Sequence, residues 1–218
     1  MSTALVLAGG TIPDFGLLTG AAKADFIIAA DGGVRIARTH GLPIHLVVGD
    51  LDSASASDIA WARAEQAEIV EYAQDKDYTD LELALDRAEE TGVDRIVAIG
   101  IVGGRLDHEL GNWAALCAPR NARVDVYSAQ GTASVLHGEG HNTLELEGVP
   151  GDVVSLIARS DAAAGVTTSG LKWPLSNAVL SSWSTRGISN ELISTKASVT
   201  LTSGVLMIVR PGICSFDV

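Results

Sequence analysis

Two hydrophobic rhythms alternate over the first 128 residues. Short, nearly unbroken apolar runs at Ala4–Ala8, Phe26–Ala30, Leu46–Val48, Glu68–Tyr72, Arg95–Ile101 and Val124–Tyr127 predict strands. Several are so continuous in Val, Ile, Leu and Ala that both strand faces must be buried, as in a parallel sheet. Helical spacing fills the gaps. It is clearest over Thr79–Glu90, where Leu81, Ala84, Leu85 and Ala88 form an apolar face opposite Glu82, Asp86, Arg87 and Glu89. Asp58–Gln66 and Leu106–Ala118 are weaker helices. The alternation predicts an α/β N-terminal domain with an open, mostly parallel, doubly wound sheet.

The rhythm changes after about Ser128. Gly, Ser and Thr become frequent, no amphipathic helix stands out, and strand-like runs are short: Ala133–His137, Thr143–Leu146, Val153–Ala158, Ser198–Leu201 and Val205–Val209. This predicts an all-β C-terminal domain, a small β-sandwich. The boundary falls near Gln130-Gly131, giving domains 1–130 and 131–218. No internal repeat or low-complexity segment interrupts either.

Composition narrows the partners. The chain has 218 residues, 47% of them apolar and 19% charged, with a net charge of −12. These proportions suit a globular protein with a real core. Its acidity argues against nucleic acid and anionic membrane as partners. No apolar run reaches the ~18 residues a membrane span needs. Met1 to Ala8 lacks a basic region before its apolar run and does not read as a signal peptide, so a cytoplasmic location is expected. Cys117 and Cys214 fit no metal-ligand spacing and read as small buried hydrophobes. Trp61, Trp113 and Trp183 carry no motif and read as packing residues, and Asp58 and Asp86 as solvated ones.

The candidate chemistry lies at strand ends. Three glycine pairs, Gly9-Gly10, Gly32-Gly33 and Gly103-Gly104, follow three strands, where they serve either as tight turns or as places for main-chain amides to approach an anion. Carboxylates collect on the same edge: Asp31, then Asp50 and Asp52, then Asp75, Asp77 and Asp80, and Asp107. In open α/β sheets this edge is where ligands bind. Such a cluster repels itself unless a cation sits within it, and hard oxygen ligands suit Mg²⁺ shared with substrate phosphates. Asp75 reads as a helix-capping or simply exposed residue; Asp50 and Asp52 read as metal ligands. Bases are few here: Arg35, Lys76 and Arg105. The Arg105 guanidinium has the geometry to fork onto phosphate. His108 reads as an acid, a base or a supporting hydrogen-bonded group. No Walker A sequence occurs, which excludes a P-loop kinase. In the second domain, Gly170–Leu175 reads as a bent loop around Trp173, which is either a stacking platform for a flat or cationic ring or a packing residue.

Taken in order, Ala30-Asp31-Gly32-Gly33, Gly49-Asp50-Leu51-Asp52-Ser53, Asp75-Lys76-Asp77-Tyr78-Thr79-Asp80 and Gly103-Gly104-Arg105-Leu106-Asp107-His108 resemble thiamine pyrophosphokinases. Gly170-Leu171-Lys172-Trp173-Pro174-Leu175 and Ile188-Ser189-Asn190-Glu191 are similar to that family's thiamine-binding domain. The resemblance spans nearly the whole chain. It implies a nucleotide-binding catalytic domain, a thiamine-binding sandwich, and a homodimer with active sites between subunits. It implies transfer of pyrophosphate from ATP to the hydroxyl of thiamine, giving thiamine diphosphate and AMP. On this basis Asp50, Asp52 and Asp80 would hold Mg²⁺. Asp31, Gly32, Gly33, Gly103, Gly104, Arg105, Asp107 and His108 would form the nucleotide side. Gln74, Asp77, Thr79, Trp173, Ser189 and Asn190 would form the thiamine side. Asp80 or Asp107 would accept the hydroxyl proton. Trp173 stands where relatives often carry Tyr, which keeps a stacking face and removes a hydroxyl.

Three other functions fit parts of the same pattern. A nucleotide-sugar transferase also places Asp-x-Asp after a parallel strand. A pyrophosphokinase for a pterin alcohol would share the first domain. A sensor would bind nucleotide or thiamine without turnover.

Overall fold

The computed structural model describes residues 1–14 and 20–212, which form two compact units that divide after Gln130. In the first, β1 (Thr3–Leu7), β2 (Phe26–Ala30), β3 (Leu46–Gly49), β4 (Glu68–Glu71), β5 (Arg95–Ile99) and β6 (Arg123–Ser128) make a sheet in the order β6-β5-β1-β2-β3-β4. Every pair is parallel. The chain steps outward from β1 to β4, returns to place β5 on the other side of β1, and continues to β6. The order therefore reverses between β1 and β5.

Right-handed crossovers decide which face each helix covers. Helices α1 (Val34–His40) and α2 (Ala56–Ala64) belong to the outward steps and share one face. Val34, Ile36, Ala37, Ile59 and Ala62 pack there with Leu5, Leu7, Ile27, Ala29, Val47 and Val97. The return step carries α3 (Asp80–Glu90) to the opposite face, where it lies across β1, β2, β3 and β5 and packs on α4 (Leu106–Leu116). Leu81, Ala84, Leu85 and Ala88 are its buried side, as the spacing predicts.

Local chemistry sets the helix ends. The Thr79 hydroxyl caps α3 by accepting from the Glu82 amide at 3.2 Å. Ser55 and Asp58 form a reciprocal capping box on α2. Asp58 is thus buried and paired with Arg38 at 2.9 Å, not solvated as the sequence suggests. The hydrophobic spacing does not predict helix α1. It has seven residues, no side-chain cap, and ends on Gly41 in the left-handed region (φ 61°).

The second unit is a β-sandwich. One sheet has the order β12 (Asn190–Glu191), β9 (Val153–Ala158), β14 (Val205–Pro211) and β7 (Gly131–His137). The other has β11 (Ala178–Ser181), β10 (Ala162–Ser169), β13 (Lys196–Thr200) and β8 (Thr143–Glu147). All pairings are antiparallel. Leu136, Leu156, Leu206 and Ile208 from the first sheet meet Leu146, Val166, Leu180 and Val199 from the second in one core. Cys117 is buried, and Cys214 lies outside the described residues. Trp183 does not pack: it is 90% exposed. Among the described residues no helix is long and apolar enough to cross a membrane.

Candidate active site

The reversal between β1 and β5 opens a crevice at the carboxyl ends of the strands, where ligands bind in open α/β sheets. A cavity of about 790 Å³ occupies it. Main-chain contacts form its floor. The loops leaving β1 and β5 are joined by Gly10 N to Gly100 O at 2.8 Å and Thr11 N to Val102 O at 2.7 Å. A Cβ on Gly10 would fall 2.3 Å from the Val102 carbonyl oxygen, and one on Gly33 would fall 1.9 Å from that of Leu7. Only glycine fits at either place.

Strand register brings the carboxylates together. Ala30 of β2 stands opposite Val48 of β3, so Asp31 emerges beside Gly49 and Asp50. Asp80, the first residue of α3, reaches the same point. Asp31, Asp50 and Asp80 each offer an oxygen within 4.8 Å of the others. Asp31 is 8% exposed, and its Oδ1 is buried with no hydrogen-bond partner. A buried carboxylate oxygen without a donor is costly, and three converging carboxylates form a hard, anionic donor set. These residues fit a divalent cation.

Backbone conformation contributes as well. Asp31 (φ 44°) and Leu51 (φ 62°) both adopt the left-handed region. For Leu51 this conformation carries strain, and such outliers concentrate at functional sites. The turn separates Asp50 from Asp52. Asp50 belongs to the trio, whereas Asp52 lies outside it, with Ser53 Oγ 3.0 Å from its Oδ1 and Gln74 Nε2 3.4 Å from its Oδ2. The metal set expected from sequence had Asp52 in the position that Asp31 takes here.

Lys76 Nζ lies 3.2 Å from Asp50 Oδ2 and 3.1 Å from Asp80 Oδ1. Burial pushes the Asp50 carboxyl up, but hydrogen bonds from Lys76 and the Asp52 amide outweigh it and hold Asp50 below its ordinary value. Asp80 goes the other way. Burial raises it, Lys76 offsets only part of the rise, and the charges of Asp50 and Asp31 add to it.

The other sequence candidates separate. Gly32, Gln74, Asp77, Thr79, Gly103, Gly104, Arg105 and His108 line the cavity, and Asp107 and Gly33 do not. Arg105 directs its fork to Asp107, with Nη2 to Oδ2 at 2.5 Å, and these hydrogen bonds hold Asp107 below the usual carboxylate range. Glu109, Asn112 and Tyr78 also line the cavity and were not singled out from sequence. Glu109 could have been read from its position in the first turn of α4.

In the second unit, Asn190 is 4% exposed and bound to the Trp173 loop. Its Oδ1 accepts from the Trp173 and Glu191 amides at 3.1 and 2.9 Å, and its Nδ2 donates to the Trp173 carbonyl at 2.8 Å. Asn190 therefore supports the loop. Ser189, also left-handed (φ 57°), donates its amide to Ser155 Oγ at 3.0 Å. Trp173 is half exposed, and Lys172 Nζ sits 4.6 Å from the centre of its ring while pairing with Glu191 at 2.9 Å.

Two family models match the chain: "Thiamin pyrophosphokinase, catalytic domain" over residues 19–128, and "Thiamin pyrophosphokinase, vitamin B1 binding domain" over residues 141–206. Thiamine pyrophosphokinase of Bacillus subtilis is 31% identical over 216 residues, covering 96% of this chain and 99% of that protein. The chain belongs to the thiamine pyrophosphokinase family of enzymes. Among solved structures of this family, the Bacillus subtilis enzyme superposes with a TM-score of 0.81 at 30% identity, covering all of both chains. The Geobacillus thermodenitrificans thiamin pyrophosphokinase gives 0.77 at 29%, covering 98% of this chain and all of the other. The family resemblance drawn from the ordered motifs is thereby established, as are the α/β and antiparallel β-rich domains.

Proposed function

We propose that the chain transfers pyrophosphate from ATP to the hydroxyl of thiamine, with nucleotide phosphates at the β1/β5 crevice and thiamine at the Trp173 loop. The observation that carries this reading is the trio Asp31, Asp50 and Asp80, with its unpartnered buried oxygen, in a cavity also lined by Gly9, Gly10, Gly32, Gly103 and Gly104, where phosphate could approach main chain. In this reading the thiamine hydroxyl oxygen bonds to the β-phosphorus of ATP. The bond from that phosphorus to the oxygen bridging the α- and β-phosphates breaks, AMP leaves, and the hydroxyl proton passes to a carboxylate.

Such a reaction needs in-line positioning and charge neutralisation, not a covalent nucleophile. Magnesium, when bound, supplies neutralisation of the phosphate oxygens. Asp31, Asp50 and Asp80 would hold it, and Asp52 would act through water or Gln74. Of the two carboxylates that could take the proton, Asp80 lines the cavity and Asp107 does not, so Asp80 is the better placed acceptor. Gly32, Gly103, Gly104 and His108 would line the nucleotide side, and Asp77 and Thr79 the acceptor side. Residues 1–130 then serve as the nucleotide domain and 131–218 as the thiamine domain.

Thiazolium is a cation, and an aromatic face suits it. Lys172 covers part of the Trp173 ring, so thiamine would stack on what Lys172 leaves open. A homodimer with sites between subunits is part of this reading. Sedimentation equilibrium tests for the dimer.

The deciding experiment is incubation with ATP, Mg²⁺ and thiamine, followed by separation of the products. Thiamine diphosphate with AMP is expected. ADP with thiamine monophosphate, or binding without turnover, would overturn the proposal. Replacing thiamine by a pterin alcohol tests the acceptor.

A further inference from the structure

Of the three bases at the crevice, Lys76 alone is drawn into the carboxylates. Its side chain is 14% exposed, and its ammonium bridges two of the three carboxylates in the trio. Arg35 and Arg105 are exposed, and Arg105 pairs with Asp107, outside the trio. The trio brings three negative charges together, and Lys76 cancels one of them. The oxygens that it contacts belong to Asp50 and Asp80, which a divalent cation would need. A second cation at this point must share those oxygens with the ammonium or displace it, and like charges a few ångströms apart repel. Lys76 also lines the cavity, within the space a polyphosphate would enter. Its side chain is flexible, so the ammonium can move from carboxylate to phosphate without a change in the fold.

We infer that Lys76 is a charge gate on the cation site, competing with the divalent ion for Asp50 and Asp80 until a polyphosphate offers the ammonium another anion. The inference rests on the reading of Asp31, Asp50 and Asp80 as a cation site. It makes metal and nucleotide binding cooperative: each lowers the cost of admitting the other. Neutralising position 76 removes the competitor, so metal binds more readily alone and gains less from nucleotide.

The test is direct Mn²⁺ binding, read by electron paramagnetic resonance, on the full chain and on Lys76→Met and Lys76→Gln. Each protein is measured alone and with α,β-methylene-ATP. Circular dichroism melts establish that the variants fold, and either variant suffices. Without nucleotide, the variants should bind Mn²⁺ roughly five- to tenfold more tightly than the parent. The parent should close that gap when the analogue is present. Equal or weaker Mn²⁺ binding by a folded variant overturns the gate. Asp31→Asn and Asp80→Asn serve as controls. If both leave Mn²⁺ affinity unchanged, the cation-site reading fails and the gate fails with it. If they weaken Mn²⁺ binding while the Lys76 variants do not change it, only the gate fails.

Discussion

Gly49 lies directly against Asp80: a Cβ at Gly49 would stand 3.0 Å from the Asp80 Cγ and 3.1 Å from the Asp31 Cβ. The backbone there is at φ 146°, which L-residues rarely adopt. The last residue of β3 thus lies between two carboxylates, one just past the end of β2 and one at the start of α3.

Gly49→Ala should therefore disturb the trio without touching its charges. We expect a loss of stability of about 1–3 kcal/mol from the backbone. Turnover should fall about a hundredfold, the typical cost of displacing reacting groups by around an ångström. Thermal melts and steady-state kinetics at several Mg²⁺ concentrations check this. Unchanged kinetics would mean that the trio does not depend on Gly49.

Asn190 holds the Trp173 loop through two hydrogen bonds to the Trp173 main chain and also accepts from the Glu191 amide. Asn190→Ala leaves those buried groups unsatisfied, at about 1–3 kcal/mol. The expected kinetic result is a raised KM for thiamine with an unchanged KM for ATP. An equal rise in both would mean that the loop serves the whole molecule rather than the acceptor.

Acid should weaken the first unit partly through Asp58. Hydrogen bonds from Ser55 lead the effects on its carboxyl and, with Arg38, outweigh burial, so Asp58 sits below the ordinary value of 3.8 in the fold. A group depressed in this way stabilises fully above pH 3.8 and loses its contribution as the pH falls through the lower folded value. Asp58→Ala should cost about 1 kcal/mol at neutral pH, the usual worth of a cap. The gap in melting temperature between the parent and Asp58→Ala should narrow below pH 3.8. A gap independent of pH would assign the effect to packing.

Much of this molecule was legible in its pattern of residues. Strands buried on both faces announce themselves, and β2, read from Phe-Ile-Ile-Ala-Ala, agrees to the residue. Helix α1 is not legible because seven residues, under two turns, with buried positions at Val34, Ile36 and Ala37 repeat too few times to set a helical period apart. Strand β10 was missed because Ala, Gly, Thr and Ser carry little apolar signal. Asp58 was misread because periodicity does not reveal a cap folded back against its helix. At the site, sequence order placed the acidic residues on one edge. Only the pairing of Ala30 with Val48 shows that Asp31, rather than Asp52, stands with Asp50.

The floor of the crevice has a consequence for redesign. At Gly10 a single methyl group would collide with the Val102 carbonyl, so this part of the surface is held by main chain and accepts no side chain. In the proposed reaction this main-chain edge would face phosphate and would stay the same whatever alcohol accepts the pyrophosphate. On the same proposal, variation in the acceptor would come from the Trp173 loop, tied down by one asparagine, where a few substitutions would retarget the reaction without altering the first unit.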